Sequence, residues 1–370
     1  MPDSRPTPEP IAPLIHQIQT QIDSAGGCLP FDQFMAMALY QPGLGYYANR
    51  SRKFGYMPAS GSDFVTAPEL SPLFGACLAR QVRQALLACV SNTVFEFGAG
   101  TGALAAQLLG ELGDVVSHYC IIDLSGELRA RQADSLAKWG DKVQWLDAWP
   151  QPMQGVVLGN EVLDAMPVKL LRWDGVEWFE RGVTWQEQGF AWLDRPCSAP
   201  THIDAELLAS LLPDTVIEVH EQAQAFVASL GEHLTCGAVF LIDYGFEEKQ
   251  YYHPQRIGGT LMCHQAHRAD DNPLIDVGSK DITAHVNFTG IALAAQDVGF
   301  DVLGYTSQAH FLFNSGLADL LEQADLRQRA MAQKLVTEHE MGELFKVIGL
   351  AKGCAFDALG FANGDRSHRL

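Results

Sequence analysis

The chain has 370 residues and a formal net charge of −19, from 25 basic and 44 acidic side chains. Tight binding to nucleic acid depends on basic side chains that neutralise phosphates, so this charge argues against it; the acidity either attracts a basic protein or peptide or only keeps the chain dissolved. Apolar residues make up 47% of the sequence, as in a well-packed globular protein, and no apolar run reaches the ~20 residues of a membrane helix.

The start of the chain and its cysteines indicate the compartment. Residues 1–13 contain several prolines but neither the apolar core of a secretory signal nor the repeated arginines of a mitochondrial presequence. We interpret them as a flexible arm and expect a cytoplasmic protein. The eight cysteines are scattered without a Cys-x-x-Cys pair, which favours reduced core cysteines over disulfides or a zinc site.

The first 90 residues are predicted to form helices and a long loop. Apolar residues recur at helical spacing over 11–24, and two further helices are predicted over 31–39 and 71–90. The segment 51–69 is rich in Gly, Ser and Pro. Because compact domains rarely carry such loops without a functional reason, we interpret 1–90 as a helical region with a lid or substrate loop.

From residue 91 onwards, strands and helices are predicted to alternate. Short apolar runs predict strands at 94–97, 119–123, 143–146, 155–159, 238–243, 301–306 and 343–350. Later helices are predicted at 217–230, at 284–298 and between 315 and 337. This alternation indicates a parallel sheet with helices on both faces, an α/β fold of Rossmann-like type.

Two insertions interrupt this predicted domain, which spans 91–370. Short strands rich in Trp, Val and Phe between 169 and 192 predict a β-hairpin, followed by helical sequence to about 235. Residues 246–283 are predicted to be a second long loop region.

A glycine turn after the first predicted strand is the main candidate for a ligand site. Gly98, Gly100 and Gly102 alternate before a helix start, which offers free backbone N–H groups. Such a turn suits a dinucleotide, S-adenosylmethionine or an ordinary αβ connection. Glu96 would repel a pyrophosphate but attract the ammonium and sulfonium of S-adenosylmethionine. Asp123 ends the second strand, where a carboxylate can bind ribose hydroxyls. S-adenosylmethionine is therefore the favoured ligand.

Seven short segments carry a wider pattern, and they are 43–47 (GLGYY), 63–71 (DFVTAPELS), 95–102 (FEFGAGTG), 159–167 (GNEVLDAMP), 242–245 (IDYG), 281–286 (DITAHV) and 341–347 (MGELFKV). In this order they resemble the motifs of the MidA family of class I S-adenosylmethionine-dependent methyltransferases, over about residues 26–352. The resemblance implies a mostly parallel sheet with one antiparallel strand, and S-adenosylmethionine as cofactor with S-adenosylhomocysteine as product.

The resemblance also implies an acceptor. Mitochondrial members of the family assist respiratory complex I assembly by symmetrically dimethylating an arginine of a core subunit. It follows that the expected activity is protein arginine N-methylation, and the expected partner is an arginine-bearing protein such as a complex I subunit.

Site residues are expected beyond the carboxyl ends of the strands, where ligands of open α/β sheets bind. In the class I pattern, Glu96 and the glycine turn hold the methionine end, Asp123 binds the ribose, and Asn160 borders the methyl group. Asp147 and Ala148 flank the adenine. The full predicted cofactor set is Thr66, Pro68, Glu96, Gly98, Ala99, Gly100, Gly102, Asp123, Leu124, Asp147, Ala148 and Asn160.

Glu161 and Asp164 are the predicted catalytic pair. They lie three residues apart, on one face if this segment is a helical turn. A guanidinium stays protonated, and a carboxylate clamp can concentrate its charge on the nitrogens that do not react. Asp164 could instead cap a helix. His285, at a predicted helix start, is a third catalytic candidate as hydrogen-bond donor or base, although a lone histidine there is more often structural.

Several alternatives stay open at this stage. Tyr46 and Tyr47 could form an aromatic wall around a guanidinium or belong to the core. The chain could methylate a small molecule at nitrogen or oxygen, or bind S-adenosylmethionine as an assembly chaperone without catalysis. A nicotinamide-dependent oxidoreductase is a further alternative, which Glu96 opposes. No metal is expected.

Overall fold

A computed structural model of the protein describes residues 12–49, 65–123, 126–187, 189–265 and 268–370. The α-helices are α1 Ala12–Ser24, α2 Phe31–Tyr40, α3 Ala67–Leu70, α4 Pro72–Ala88, α5 Ala103–Leu112, α6 Gly126–Leu136, α7 Ala205–Ser210, α8 Glu221–His233, α9 Glu248–Tyr251, α10 Phe288–Asp297, α11 Gln308–Asn314, α12 Leu317–Gln323 and α13 Leu326–Val336. Leu124 and most of the predicted loop 51–69 lie outside the described residues.

The strands are β1 Leu29–Pro30, β2 Thr93–Phe97, β3 His118–Ile122, β4 Val143–Leu146, β5 Met153–Asn160, β6 Lys169–Trp173, β7 Trp178–Gln186, β8 Gly189–Cys197, β9 Thr215–Val219, β10 Leu234–Phe246, β11 Met262–Gln265, β12 Arg268–Asp270, β13 Asp281–Thr283, β14 Val286–Asn287, β15 Asp301–Ser307 and β16 Phe345–Lys352. The chain divides into two compact units. Unit 1 contains Met1–Arg52, Ala165–Glu221 and Tyr252–Ala284, and unit 2 contains Lys53–Asp164, Gln222–Tyr251 and His285–Leu370. The predicted division near residue 90 stays a prediction.

Unit 2 is built on one large sheet with strand order β4-β3-β2-β5-β10-β16-β15, and β14 pairs with the end of β10. The pairs from β4 to β10 are parallel, whereas β16 runs antiparallel to both of its neighbours. Strand β10 is buried from Ala238 to Asp243, as expected for a central parallel strand covered by helices on both faces. The predicted mostly parallel sheet with one antiparallel strand is confirmed.

Local sequence explains where the helices of unit 2 begin. The Ser71 side chain accepts the Leu73 N–H and Pro72 occupies the first turn, so α4 starts there. Asn287 caps α10 in the same way by accepting the Gly290 N–H. The predicted helix 284–298 is therefore wrong at its start, because Asn287 shifts the first turn to Phe288.

Unit 1 combines helices with a smaller antiparallel sheet. Strands β6, β7, β8 and β9 with the short β1 form five strands in antiparallel pairs, which includes the predicted hairpin. Helix α1 buries Leu14, Ile18 and Ile22, the apolar stripe that its sequence spacing predicts. These side chains pack with Phe31 and Phe34 of α2 in the core of this unit.

Two predictions for the insertions are wrong. Residues 217–219, predicted to start a helix, belong to β9, because the segment Val216–Val219 pairs with β6; α8 starts only at Glu221. The predicted loop 246–283 contains α9 and a three-stranded antiparallel sheet of order β12-β11-β13. These strands have three or four residues each, too short for a periodic signal.

Candidate active site

The glycine turn connects β2 to α5 in unit 2. Gly98, Gly100 and Gly102 have φ values of 64°, 54° and 81°, a region that residues with a Cβ rarely adopt. A Cβ on Gly98 would lie 3.0 Å from Val162, so the turn packs closely on the segment after β5. A Cβ on Gly100 would meet no atom within 4 Å. The turn therefore leaves open space at its middle glycine, where a ligand can approach the backbone.

The rest of the turn is held by its own backbone. Ala99 is buried, and its carbonyl accepts the Gly102 N–H at 2.8 Å. The Gly98 N–H donates to the Ile122 carbonyl at the end of β3. Gly102 starts α5 without a side-chain cap, so the first N–H groups of the helix stay available at the turn.

Glu96 is buried inside the sheet, with 2% of its surface exposed. The Tyr119 hydroxyl on β3 donates a 2.6 Å hydrogen bond to its Oε2. Burial raises the pKa of Glu96 to about 7, and the tyrosine hydrogen bond opposes this rise. A nearby cation would favour the ionised form. Sequence analysis missed Tyr119, which becomes a partner only through the pairing of β2 with β3.

Gln132 on α6 connects three parts of the predicted cofactor site. Its Nε2 lies 2.9 Å from both the Asp123 Oδ2 and the Gly100 carbonyl oxygen. Its Oε1 accepts the Trp145 indole N–H, also at 2.9 Å. The side chain is fully buried. Gln132 therefore fixes the predicted ribose carboxylate relative to the glycine turn and to β4. The only sequence signal for it is a polar residue on the buried side of a helix.

Asp147 and Ala148, the predicted adenine segment, follow β4 and are exposed. The Asp147 carboxylate forms a 2.6 Å ion pair with Arg129, which also donates to the Trp145 carbonyl. At an exposed site such a pair contributes little to stability. The role of this segment at the adenine stays a prediction.

The predicted catalytic pair lies on a loop wrapped around a buried carboxylate. Asp243, at the end of β10, accepts the backbone N–H groups of Val162, Leu163 and Asp164 on one oxygen, at 2.9 to 3.2 Å. The Glu161 N–H donates to the Ile242 carbonyl, and Glu161 has a positive φ of 55°. The segment is therefore not a helical turn, the condition under which Glu161 and Asp164 would share one face, because these N–H groups bond to a side chain instead of to helix carbonyls.

Burial and neighbouring carboxyl groups raise the pKa of Glu161 and of Asp243. Asp164 is 4% exposed and Asp243 is 1% exposed. Burial and then the charge of Asp164 raise the pKa of Glu161 to about 8, although the Asn160 side chain opposes the rise by donating at 3.0 Å. Burial, Asp164 and Glu161 likewise raise the pKa of Asp243, against its backbone hydrogen bonds. A bound cation would stabilise the ionised forms of Glu161 and Asp243, which burial and neighbouring carboxyl groups disfavour.

The segment around α3 brings in an acid that sequence analysis did not assign. Thr66 precedes this helix as its N-cap and Pro68 lies within it. The Pro68 carbonyl accepts the Gln107 amide at 2.7 Å, which ties α3 to α5. Glu69 is 4% exposed, and its Oε1 accepts the Thr101 hydroxyl of the glycine turn at 3.1 Å. Its presence in the 63–71 motif was the available signal.

His285 belongs to unit 2, whereas Tyr46 and Tyr47 of the predicted aromatic wall belong to unit 1. His285 lies just before β14 and not at a helix start, so that prediction is wrong; Asn287 begins the helix. The Tyr244 ring contacts the His285 ring edge-on, with centroids 5.2 Å apart. In unit 1, Tyr46 is a buried core residue and the Tyr47 hydroxyl donates to the Asp281 carboxylate at 2.9 Å.

The residues of unit 2 fit S-adenosylmethionine. A bound cofactor needs space at the backbone of the turn, and the open space at Gly100 provides it. It also needs hydrogen-bond acceptors, and the buried Glu69 Oε2 and Asn160 Oδ1 have no hydrogen-bond partner among the described residues. Buried acceptors of this kind suit a ligand with an ammonium, a sulfonium and hydroxyl groups. Among the described residues, no group of three or more His, Cys, Asp or Glu side chains is arranged to hold a metal.

This sheet order, with β16 antiparallel near one edge and a glycine turn after β2, is that of a class I S-adenosylmethionine-dependent methyltransferase. The family described as "Putative S-adenosyl-L-methionine-dependent methyltransferase" matches residues 77–306, more than half of the chain. The chain belongs to this family, the MidA-type methyltransferases, and its cofactor is S-adenosylmethionine. In the part of the chain that is described, no helix is long and apolar enough to cross a membrane.

Relatives of the chain include solved structures and curated enzymes. A Burkholderia thailandensis protein, described as a "likely methyl transferase" and crystallised with S-adenosyl-homocysteine, is 48% identical with a TM-score of 0.93, over 99% of this chain and 100% of that one. Human mitochondrial protein arginine methyltransferase NDUFAF7 is 25% identical over 94% of this chain and 85% of its own length. The Drosophila melanogaster homologue is 26% identical over 92% and 85%. The predicted family, cofactor and methyltransferase activity are confirmed.

Proposed function

We propose that the protein methylates a guanidino nitrogen of arginine in a protein substrate. The observation that carries this proposal is the pair Glu161 and Asp164, fixed by the backbone hydrogen bonds of their loop to Asp243. The names of the NDUFAF7 relatives support it, at 25% identity. The resemblance supports symmetric dimethylation and a complex I subunit as the acceptor protein.

The electrostatics of the loop favour a cationic acceptor. Asp164 and Glu161 repel each other when both are ionised, and a cation between them would stabilise both ionised forms. Among side chains, arginine remains charged at every working pH and offers a planar fork of donors that matches carboxylates. A neutral small-molecule acceptor would leave the repulsion between Glu161 and Asp164 in place.

The chemistry assigned to the protein is binding and orientation. The bound cofactor supplies a methyl group on a sulfonium. Glu161 and Asp164 would bind two guanidino nitrogens and draw the positive charge towards them, so that the third nitrogen becomes the better nucleophile. Alignment of reacting groups can lower a barrier by ~7–11 kcal/mol in favourable cases, so orientation is the largest expected contribution. The methylated nitrogen releases one proton, which the carboxylate of Glu161 or Asp164 can accept.

The cofactor-binding roles are proposals of the same kind. Glu96 and the turn from Gly98 through Ala99 and Gly100 to Gly102 would hold the methionine end. Asp123 would bind the ribose hydroxyls. The remaining proposed cofactor contacts are Thr66, Pro68, Asp147, Ala148 and Asn160, with His285 as a further candidate near the acceptor.

Methyl-label transfer into a lysate tests the acceptor. The purified protein is incubated with labelled S-adenosylmethionine, and the labelled product is identified by mass spectrometry. Symmetric dimethylarginine in a protein, present with the native chain and reduced with Glu161→Gln, is the expected result. Label in a small molecule would favour the small-molecule alternative, and S-adenosylhomocysteine binding without any transfer would favour the chaperone.

A further inference from the structure

We propose that Glu69 binds the α-ammonium group of the S-adenosylmethionine methionine moiety. The inference rests on the established cofactor and is independent of the proposed arginine acceptor. Glu69 lies on the four-residue helix α3, next to the predicted cofactor contact Pro68, and is not itself among the predicted site residues.

The two carboxylate oxygens of Glu69 are used unequally. Oε1 accepts the Thr101 hydroxyl at 3.1 Å, whereas Oε2 is buried and bonds to none of the described residues. Leaving a buried carboxylate oxygen without a donor is costly, so native proteins rarely do so without a function. Burial raises the pKa of Glu69, and the Thr101 hydroxyl and the Thr66 backbone N–H oppose this. A cationic donor at Oε2 would complete the site.

Glu69 is held rigidly beside the glycine turn. Gln107 on α5 donates from Nε2 to the Pro68 carbonyl, and its Oε1 accepts the Gly75 N–H on α4 at 3.1 Å. A Cβ on Gly75 would lie 2.3 Å from the Gln107 side chain, so this contact requires glycine. Helices α3, α4 and α5 are thus locked together, and Glu69 keeps a fixed position relative to the glycine turn.

The position of Glu69 beside the glycine turn identifies the cation that it would bind. Thr101 lies between Gly100 and Gly102, so Glu69 contacts the turn that class I methyltransferases use for the methionine end. That end carries a carboxylate, which the first N–H groups of α5 can bind, and an ammonium, which needs acceptors. Glu69 contacts the turn through Thr101, and its Oε2 offers the ammonium a buried acceptor in addition to Glu96.

The test compares ligands that differ in the ammonium group. Glu69→Gln keeps the shape and the acceptor for Thr101 but removes the charge. Calorimetry should give an S-adenosylhomocysteine Kd raised roughly 10- to 100-fold, the range of a charge-assisted hydrogen bond. The decarboxylated analogue, which keeps the ammonium, should lose a similar factor. Methylthioadenosine, which lacks the whole amino-acid part, should bind native and variant equally well.

Methylthioadenosine also reports whether the variant is folded. An unchanged Kd for S-adenosylhomocysteine would overturn the proposal. Equal losses for S-adenosylhomocysteine and methylthioadenosine would overturn it too, because Glu69 would then support the pocket as a whole. Failure of the arginine proposal would leave all these affinities unaffected, so the two can be judged separately.

Discussion

At the scale of single residues, buried polar side chains organise the backbone of the candidate site. Asp243 gathers three N–H groups of the loop that carries Glu161, and Gln132 joins Asp123 to the glycine turn. Both side chains satisfy buried backbone or side-chain groups that water cannot reach. A buried donor or acceptor left without a hydrogen bond costs ~1–3 kcal/mol. Their removal should therefore be felt in binding and in stability together.

The open space at Gly100 gives the first prediction. Gly100→Val should abolish S-adenosylhomocysteine binding, because its side chain fills the space where the ligand approaches the turn. Gly113→Val is the matched control. Gly113 has a φ of 56° and equally open surroundings, but it lies at the far end of α5. Both variants should lose similar stability in thermal denaturation, and only Gly100→Val should lose binding in calorimetry. Tight binding by folded Gly100→Val would show that the turn is not the cofactor site.

Gln132 gives the second prediction. Gln132→Met keeps the volume but removes the bonds to Asp123, Gly100 and Trp145. We expect S-adenosylhomocysteine affinity to fall roughly 10-fold and the free energy of unfolding to fall by ~1–3 kcal/mol. Gln144→Met changes an exposed glutamine on β4 and should alter neither quantity. If calorimetry gives Gln132→Met the native Kd, Gln132 has no positioning role.

Sequence analysis could identify residues of recognisable motifs but not their partners. Glu96, Asp123 and the three glycines follow from type and spacing. Tyr119 and Gln132 become visible only when strands and helices are paired in space. The positive φ of Glu161 was also missed, because nothing in its residue type predicts that conformation.

At the scale of elements, the loop between β5 and β6 concentrates the acidic groups of the site. The central strands were predicted to within a few residues, because buried parallel strands are uninterrupted apolar runs. The short strands β11 to β13 were not, since they are held by pairing and not by local preference. The shape of the loop between β5 and β6 was not predicted, because it depends on hydrogen bonds to Asp243 and Ile242 of β10, which are distant in sequence.

The raised pKa of Glu161 gives the third prediction. Its value of about 8 in the folded chain, against an ordinary 4.5, means that Glu161 is mostly protonated at pH 7. A guanidinium binds the ionised form, so KM for an arginine peptide should fall as pH rises from 6 to 8, by up to roughly tenfold per pH unit, and level off above. Steady-state kinetics with Glu161→Gln should lack this slope. A native profile that is flat from pH 6 to 9 would contradict the assignment.

The same shift affects stability with a definite sign. A carboxyl group whose pKa is raised by folding binds more protons in the native state than in the unfolded state. Its contribution to stability is therefore lost as pH rises from about 4.5 through about 8. In a thermal scan at pH 4, Glu161→Gln should have the same Tm as the native chain. At pH 9 the Tm of the variant should be higher than that of the native chain by ~2 °C or more. Equal Tm differences at both pH values would show that Glu161 does not titrate in this way.

At the scale of the whole molecule, the fold and the family both identify a methyltransferase, whereas its acceptor is a proposal. The sheet order, the glycine turn and the similarity to a protein crystallised with S-adenosyl-homocysteine establish the methyltransferase. The net charge of −19 is compatible with the proposed basic protein substrate and would add long-range attraction for it. The acceptor therefore depends on the function of Glu161 and Asp164.

The most direct measurement is a cycle of Glu161→Gln, Asp164→Asn and the double variant, assayed for both S-adenosylhomocysteine binding and methyl transfer to the labelled protein. Cofactor affinity should stay within a few-fold of native, because the proposed cofactor contacts are other residues and an amide at position 161 still accepts the Asn160 hydrogen bond. Transfer should fall by roughly 10²-fold or more in each single variant, and the double variant should lose less than the product, as expected for residues that hold one acceptor. Near-native transfer by Glu161→Gln would contradict the carboxylate clamp.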